Sequence, residues 1–337
     1  MKQHYIPRVY LKQFESGRKK LYSLHNKAHK FSPYVKEQDK AQIGYLPDFY
    51  TIKSKNILNR LELSDKDIIE KVFNARVENR FEKILASLLS PSQTLSMQDA
   101  EEVLVMVLSM KERNPMFRRV FENPQTIIEA FNRRFEEVFE HRDIIERILK
   151  QEGRMSFDEF IKYGHNYAHQ FAHDHNTPQD LHTEGIVKLY RNEKTIAKDI
   201  IRWLIGCEWY IFETTPQRPF ITSDNPGFCI DNNERVHNLN FADYSGFYFP
   251  LTPKYFLLIT AHFTDLGGSE KQIYHRRASP DLVELINRAT FVVSYKKVLS
   301  NDENSLRHIW RDMCRFMPHL NDIPDYKSNH KRDNHPD

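Results

Sequence analysis

Hydrophobic positions recur every three or four residues through the middle of the chain, and beyond residue 206 they recur every second one. That change of period separates a helical half from a sheet-forming half. Near the start, Tyr10, Leu11 and Phe14 share one apolar face behind Pro7, which predicts a short helix that Gly17 ends. Residues 20–24 alternate as a first strand and residues 48–52 as a second. Ile69, Phe73, Val77, Phe81, Ile84 and Leu88 then keep helical spacing from a cap at Ser64 to a stop at Pro91. Ser96 and Asp99 cap the next helix, whose Val103, Leu104, Val107, Leu108 and Met110 make it the expected most buried element. Pro124 opens an amphipathic segment carrying Phe131, Phe135, Val138, Phe139, Ile145 and Leu149, and a last helical pattern runs from about Pro178 to Trp203, with Gly206 as its end signal.

After Gly206 the pattern predicts strands at residues 208–213, 218–222, 247–251 and 255–260, divided by clusters of Pro, Gly, Asn and Asp. Ser279 and Pro280 start a further helix, and residues 291–294 are read either as its continuation or as a last strand. The fold expected is α+β, a mostly helical centre packed on an antiparallel or mixed sheet formed largely by the C-terminal half. One large domain spans 1–320, with an N-terminal helix and strands over 1–63, a helical part over 64–206 and a sheet-rich part over 207–320. Residues 321–337 are polar and aperiodic, a flexible tail.

Composition narrows the classes. A chain of 337 residues that is 40% hydrophobic can bury a sizeable core. Its 49 basic and 46 acidic residues leave a formal charge of +3, too balanced for a histone-like polyanion binder. Cys207, Cys229 and Cys314 are odd in number and far apart, which argues against a disulfide framework or a thiolate zinc site and reads as buried small hydrophobes in a reducing compartment. No apolar run of signal-peptide or membrane-span type occurs, so the expectation is a soluble cytoplasmic protein without a membrane partner. There is no P-loop, GxGxxG or GxSxG.

Candidate chemistry lies at residues 218–227, where a β-favouring run meets Thr222-Ser223-Asp224-Asn225-Pro226-Gly227. Ser223, Asp224 and Asn225 would present a hydroxyl, a carboxylate and an amide at a strand end. Asp224 reads equally as a turn-former, or as a general base or hard metal ligand. His165, His169 and His173 share one helical face, but the outer pair would stand about 12 Å apart, so one ion could take only an adjacent pair plus a further donor, and the three read first as a polar helix-and-loop surface. Glu78 and Glu82, one turn apart, could together hold a metal ion, but among Arg76, Arg80 and Lys83 they read as surface ion pairs.

His4-x-x-Pro7-x-x-Tyr10-Leu11-x-x-Phe14, Arg113-x-Pro115-x-x-Arg118, and residues 220–226 followed by Phe249-Pro250-Leu251-Thr252-Pro253 occur in this order, and together the chain resembles the bacterial domain of unknown function 4238 family. The resemblance spans nearly the whole chain and implies that His4, Tyr10, Arg113 and Asp224 meet in space. It supplies no activity. From the residue types the expectation is a phosphoester hydrolase, with nucleic acid as the leading substrate and a role in bacterial defence or stress response. In it His4 acts as general acid or base, Arg113 and Arg118 neutralise phosphate, and Asp224 positions a water or a divalent metal. Tyr10, Ser223 and Asn225 would help hold the substrate. The rival expectation is a non-enzymatic binding or sensing module whose polar set fixes the fold. The two differ in geometry, since a catalytic set lines an open pocket whereas a structural set is buried and mutually paired.

Overall fold

The structure, a computed structural model, describes residues 2–26, 34–52, 58–59, 62, 77–153, 155–190, 196–239, 241, 244–264 and 269–320. Its strands are β1 (Lys2–His4), β2 (Leu21–His25), β3 (Lys36–Gln38), β4 (Tyr45–Pro47), β5 (Thr94–Ser96), β6 (Cys207–Glu213), β7 (Thr222–Ser223), β8 (Phe228–Asp231), β9 (Val236–His237), β10 (Tyr244–Pro250), β11 (Tyr255–Phe263), β12 (Glu270–Arg277) and β13 (Lys297–Ser300). They form a seven-stranded sheet in the order β5-β12-β6-β11-β10-β8-β9, a four-stranded sheet β3-β2-β13-β7, and the pair β1-β4. Every pairing is antiparallel except β12 with β6. The α+β expectation with a mixed sheet therefore holds, and the larger sheet draws on the C-terminal half for all but β5.

The helices are α1 (Arg8–Lys12), α2 (Phe81–Leu88), α3 (Met97–Glu112), α4 (Pro115–Arg118), α5 (Pro124–Glu140), α6 (Arg142–Gln151), α7 (Phe157–His173), α8 (Thr177–Tyr190), α9 (Ile196–Gly206), α10 (Pro280–Val293) and α11 (Glu303–Leu320). The chain forms two compact units. One comprises Met1–Asp48, Glu70–Asn114 and Lys188–Asp337, and holds all three sheets; the other comprises Phe49–Ile69 and Pro115–Val187.

Local chemistry explains most boundaries. Pro7, with its fixed φ, occupies the N-cap position of α1 without a side-chain bond, and the Ser96 hydroxyl accepts the Asp99 N–H at the start of α3. α3 buries Val103, Leu104, Met106, Val107, Leu108 and Met110, as its apolar run predicts. A reciprocal capping box between Ser156 and Glu159 starts α7. Residues 291–293 continue α10 rather than form a strand, and the chain then turns into β13.

Three expectations are corrected. Residues 48–52 form no strand: residues 48–50 are a turn, because Asp48 takes a left-handed φ of 48° and the chain leaves β4 there, and the rings of Phe49 and Tyr50 pack instead on His182. In the 218–222 run only Thr222 enters a ladder. Cys314 is exposed, unlike Cys207 and Cys229. The start of the helix expected from Ser64, and the tail from 321, lie outside the described residues; of that helix, residues 77–88 are described, as a turn, a 3-10 helix over Glu78–Arg80 and α2.

The 220–221 pair shows how the larger unit is held together. Phe220 joins Phe228, Ile230, Phe256, Val283, Ile286 and Ala289 in one core, while Ile221 joins Leu24, Phe291, Val298, Leu306, Ile309 and Met313 in another. Successive side chains of an extended segment point to opposite faces, so two adjacent residues serve two cores. α10 contributes to both. The segment that follows Ile221 is thus the crossing from the four-stranded to the seven-stranded sheet.

Candidate functional site

The crossing needs its polar groups satisfied, because it is buried throughout. Thr222 and Ser223 pair with Leu299 and Val298, and the Asp224 N–H extends the contact to the Lys297 carbonyl at 2.9 Å. The chain then turns over Asn225, Pro226 and Gly227 into β8. Asp224, 2% exposed, points its carboxylate at the turn between α10 and β13: Oδ1 accepts the Tyr295 N–H at 2.9 Å, and both oxygens share the Lys296 N–H at 3.1 and 2.9 Å. Burial pushes its carboxyl up to about 6, against the pull of those N–H groups and of Lys297.

Asn225 knots the next layer. Its Nδ2 donates to the Val293 carbonyl at 2.6 Å and to Asn238 Oδ1 at 2.7 Å, and its Oδ1 accepts from Lys111 Nζ at 2.8 Å. Lys111 is fully buried and also donates to the Gly227 carbonyl at 2.7 Å and to Asn238 Oδ1 at 2.6 Å. Three carbonyl oxygens thus surround one ammonium, while burial pulls its pKa down to about 7. Asn114, at the end of α3, donates to the Asp224 carbonyl at 2.6 Å. The Ser223 hydroxyl accepts the Asn225 N–H at 3.1 Å.

The N-terminal motif meets this crossing from the side. Tyr10 is fully buried among Phe14, Phe81 and Phe249; its hydroxyl donates to the Pro250 carbonyl at 2.8 Å and bonds Thr222 Oγ1 at 2.6 Å. Burial raises its pKa. Arg113, also fully buried, donates from Nη2 to the main-chain carbonyl of His4 and has Glu78 Oε1 at 3.9 Å from Nη1. Burial raises the Glu78 pKa despite Arg113, and burial pushes the neighbouring Glu112 carboxyl up to about 8. The His4 ring lies 5.7 Å from that of Tyr45.

Of the residues singled out from sequence, Tyr10, Ser223, Asp224 and Asn225 therefore join one network. Arg113 is linked to it through the adjacent Asn114, and His4 is linked to Arg113 through its backbone. Arg118 belongs to the other unit, where its guanidinium lies 4.5 Å over the Phe49 ring. Glu82 makes the expected surface ion pair, with Lys12 at 2.8 Å, whereas Glu78 lies beside the buried Arg113 instead of on the surface. Among the described residues no three His, Cys, Asp or Glu side chains are grouped to hold a metal ion.

Sequence reading passed over Lys111, Asn114 and Asn238. Lys111 carried a signal, since it continues the apolar stripe of Ala100, Leu104, Val107 and Leu108 at helical spacing, so its ammonium had to be buried. Asn238 carried none. In the second unit α8 buries Asp180, His182, Thr183 and Glu184, with the His182 ring 5.5 Å from Phe49 and 6.2 Å from Phe117; four polar residues within five positions of a helix were the available signal.

Gly227 has the backbone this turn demands. Its φ is +82°, and a Cβ there would stand 2.7 Å from Phe249 Cδ2 and 3.1 Å from the Tyr248 carbonyl. Gly227→Ala is expected to destabilise by about 2 kcal/mol, from left-handed strain and crowding of the Phe249 ring. Urea denaturation measures it, and a loss under about 0.5 kcal/mol would refute it.

An open concavity lies elsewhere in the larger unit. A cavity of about 300 Å³ is walled by α10, the first turns of α11 and the 217–219 loop, over a floor of Pro219, Val283 and Ile309. Glu284, Asp302, His308 and Asp312 reach it, with Arg218 also in its wall. Asp312 is held bidentately by Arg288, and Asp302 Oδ2 caps α11 through the Ser305 N–H and hydroxyl at 2.8 and 2.7 Å. Glu284 is held only at longer range, 3.5 Å from Arg288 and 3.7 Å from His308.

The family model described as "Protein of unknown function (DUF4238)" matches residues 2–304 of the chain. No curated protein and no solved structure matches it.

Proposed function

The chain belongs to the DUF4238 family, a description that carries no activity, and from its geometry we propose that it is a non-enzymatic binding or sensing module whose polar motif residues hold the fold. The observation that carries this reading is the occupation of Asp224: both carboxylate oxygens accept backbone N–H groups of the helix-to-strand turn, at a residue 2% exposed. A general base or metal ligand needs a lone pair facing a reactant. Tyr10, Lys111, Arg113 and Asn225 are likewise buried and engaged in holding main chain.

On this reading the ligand enters the open cavity beside α10 and α11. Its three carboxylates outnumber Arg218 as charged groups in the wall, and Glu284 is the one least committed to partners. A small molecule or peptide side chain carrying an amine or guanidinium over an apolar stem matches that wall and its floor. The test is a thermal-shift and calorimetric screen of amines, basic amino acids and polyamines, run beside nucleotides. An amine that binds wild type at one site, and at least tenfold more weakly to Glu284→Gln, is the expected result. Phosphodiesterase or nuclease activity in wild type, lost in a folded Asp224→Asn variant, would overturn it in favour of phosphoester cleavage.

A further inference from the structure

We propose that His169 and His173 form a two-imidazole site for a divalent transition-metal ion at the C-terminal end of α7. The two rings lie 4.3 Å apart between centroids with planes inclined by 22°, so they stack on one exposed helix face one turn apart. His173 Nδ1 lies 2.8 Å from the His169 carbonyl. A carbonyl only accepts, so Nδ1 carries a proton, and in the neutral ring Nε2 then keeps its lone pair, the tautomer that binds a metal. His169 shares the exposed face. The ion would also sit by the last carbonyls of a 17-residue helix, where the backbone dipole favours positive charge.

The structure separates this pair from the third histidine of the repeat. His165 packs its ring 4.5 Å from that of Phe135, an aromatic contact inside the second unit. Imidazole donors select zinc, nickel or copper rather than magnesium or calcium, and two ligands leave the remaining positions to water or to a donor from a second molecule. Binding bridges one helical turn, so it stabilises the end of α7 against fraying.

Calorimetric titration of the full chain with Ni²⁺ and with Zn²⁺, each followed by EDTA, tests this, beside His165→Gln, His169→Gln and His173→Gln. All three side chains are exposed, and circular dichroism checks that the variants keep their helix content. The expected result is one ion per chain in wild type and His165→Gln, with affinity reduced at least tenfold in both His169→Gln and His173→Gln, and a metal-dependent rise in the melting temperature lost in the same two. Absence of binding in wild type, or binding unchanged in either of those two variants, would overturn the site. Neither outcome bears on the ligand cavity of α10 and α11.

Discussion

Asp224→Ala is expected to destabilise the fold by about 3 kcal/mol at pH 7, because it strips a buried acceptor from the N–H groups of Tyr295 and Lys296 in a partly exposed turn. Each donor left unmade costs about 1–3 kcal/mol, partly offset by relief of the buried charge. The loss extends beyond one contact, since the same residue joins β7 to β13 through its N–H and α3 to the crossing through its carbonyl. Urea denaturation gives the size, and a loss under about 1 kcal/mol would remove Asp224 from the framework. Its pH dependence has a definite sign. The folded carboxyl titrates at about 6 and the ordinary one at 3.8, so between these values the folded chain holds a proton that the unfolded chain has released. The contribution is fully present below pH 3.8 and is lost as pH rises through 6, amounting to about 3 kcal/mol at 1.36 kcal/mol per pH unit. Asp224→Asn cannot titrate and lacks that slope, so the stability gap between wild type and this variant narrows from pH 4 to pH 6.5. Parallel profiles would mean that the N–H donors outweigh burial.

What the sequence disclosed and what it hid follow from the range of the interactions. Short-range chemistry is legible: Pro7 before Tyr10 and Leu11, Ser96 before Asp99, and Pro280 after Ser279 each mark an element that the structure contains. Alternation revealed β6, β10 and β11, which have buried faces long enough to show a period. It missed β8, whose four residues are all buried and therefore do not alternate, and β9, which is two residues long. It also missed β12, the parallel neighbour of β6, whose Lys271 reads as polar but is buried and donates to the Cys207 carbonyl. The motif residues were found because a hydroxyl, a carboxylate and an amide beside a buried strand must be satisfied by something. Their partners were not, because the Tyr295 and Lys296 N–H groups lie 71 and 72 positions away and carry no side-chain signature. The same burial that gathers these residues is what argues for a structural part in the fold.

Lys111 is the sharper test of that argument, since an ammonium inside a core serves either to hold main chain or to do chemistry. Lys111→Met keeps an unbranched side chain of similar reach and removes the donors to the Gly227 carbonyl and Asn225 Oδ1, while Asn238 Oδ1 keeps its bond from Asn225. Two buried acceptors left bare cost about 3 kcal/mol together, and the loss appears as a lower urea midpoint. The pH signature runs opposite to that of Asp224. Burial depresses Lys111 from 10.5 to about 7, so the folded chain gives up its proton first and its contribution to stability is lost as pH falls through 7. Wild type should therefore gain on Lys111→Met between pH 7 and pH 9. If the two profiles instead run parallel, the three carbonyl oxygens hold the ammonium at its ordinary pKa: a neutral amine has only two N–H groups for three acceptors and would turn its lone pair on the last. Either profile, joined to a loss of stability, keeps Lys111 in the framework of the crossing. An unchanged midpoint would mean that its burial serves something other than the fold, and would return Lys111 and Asp224 to the list of candidate reactive groups.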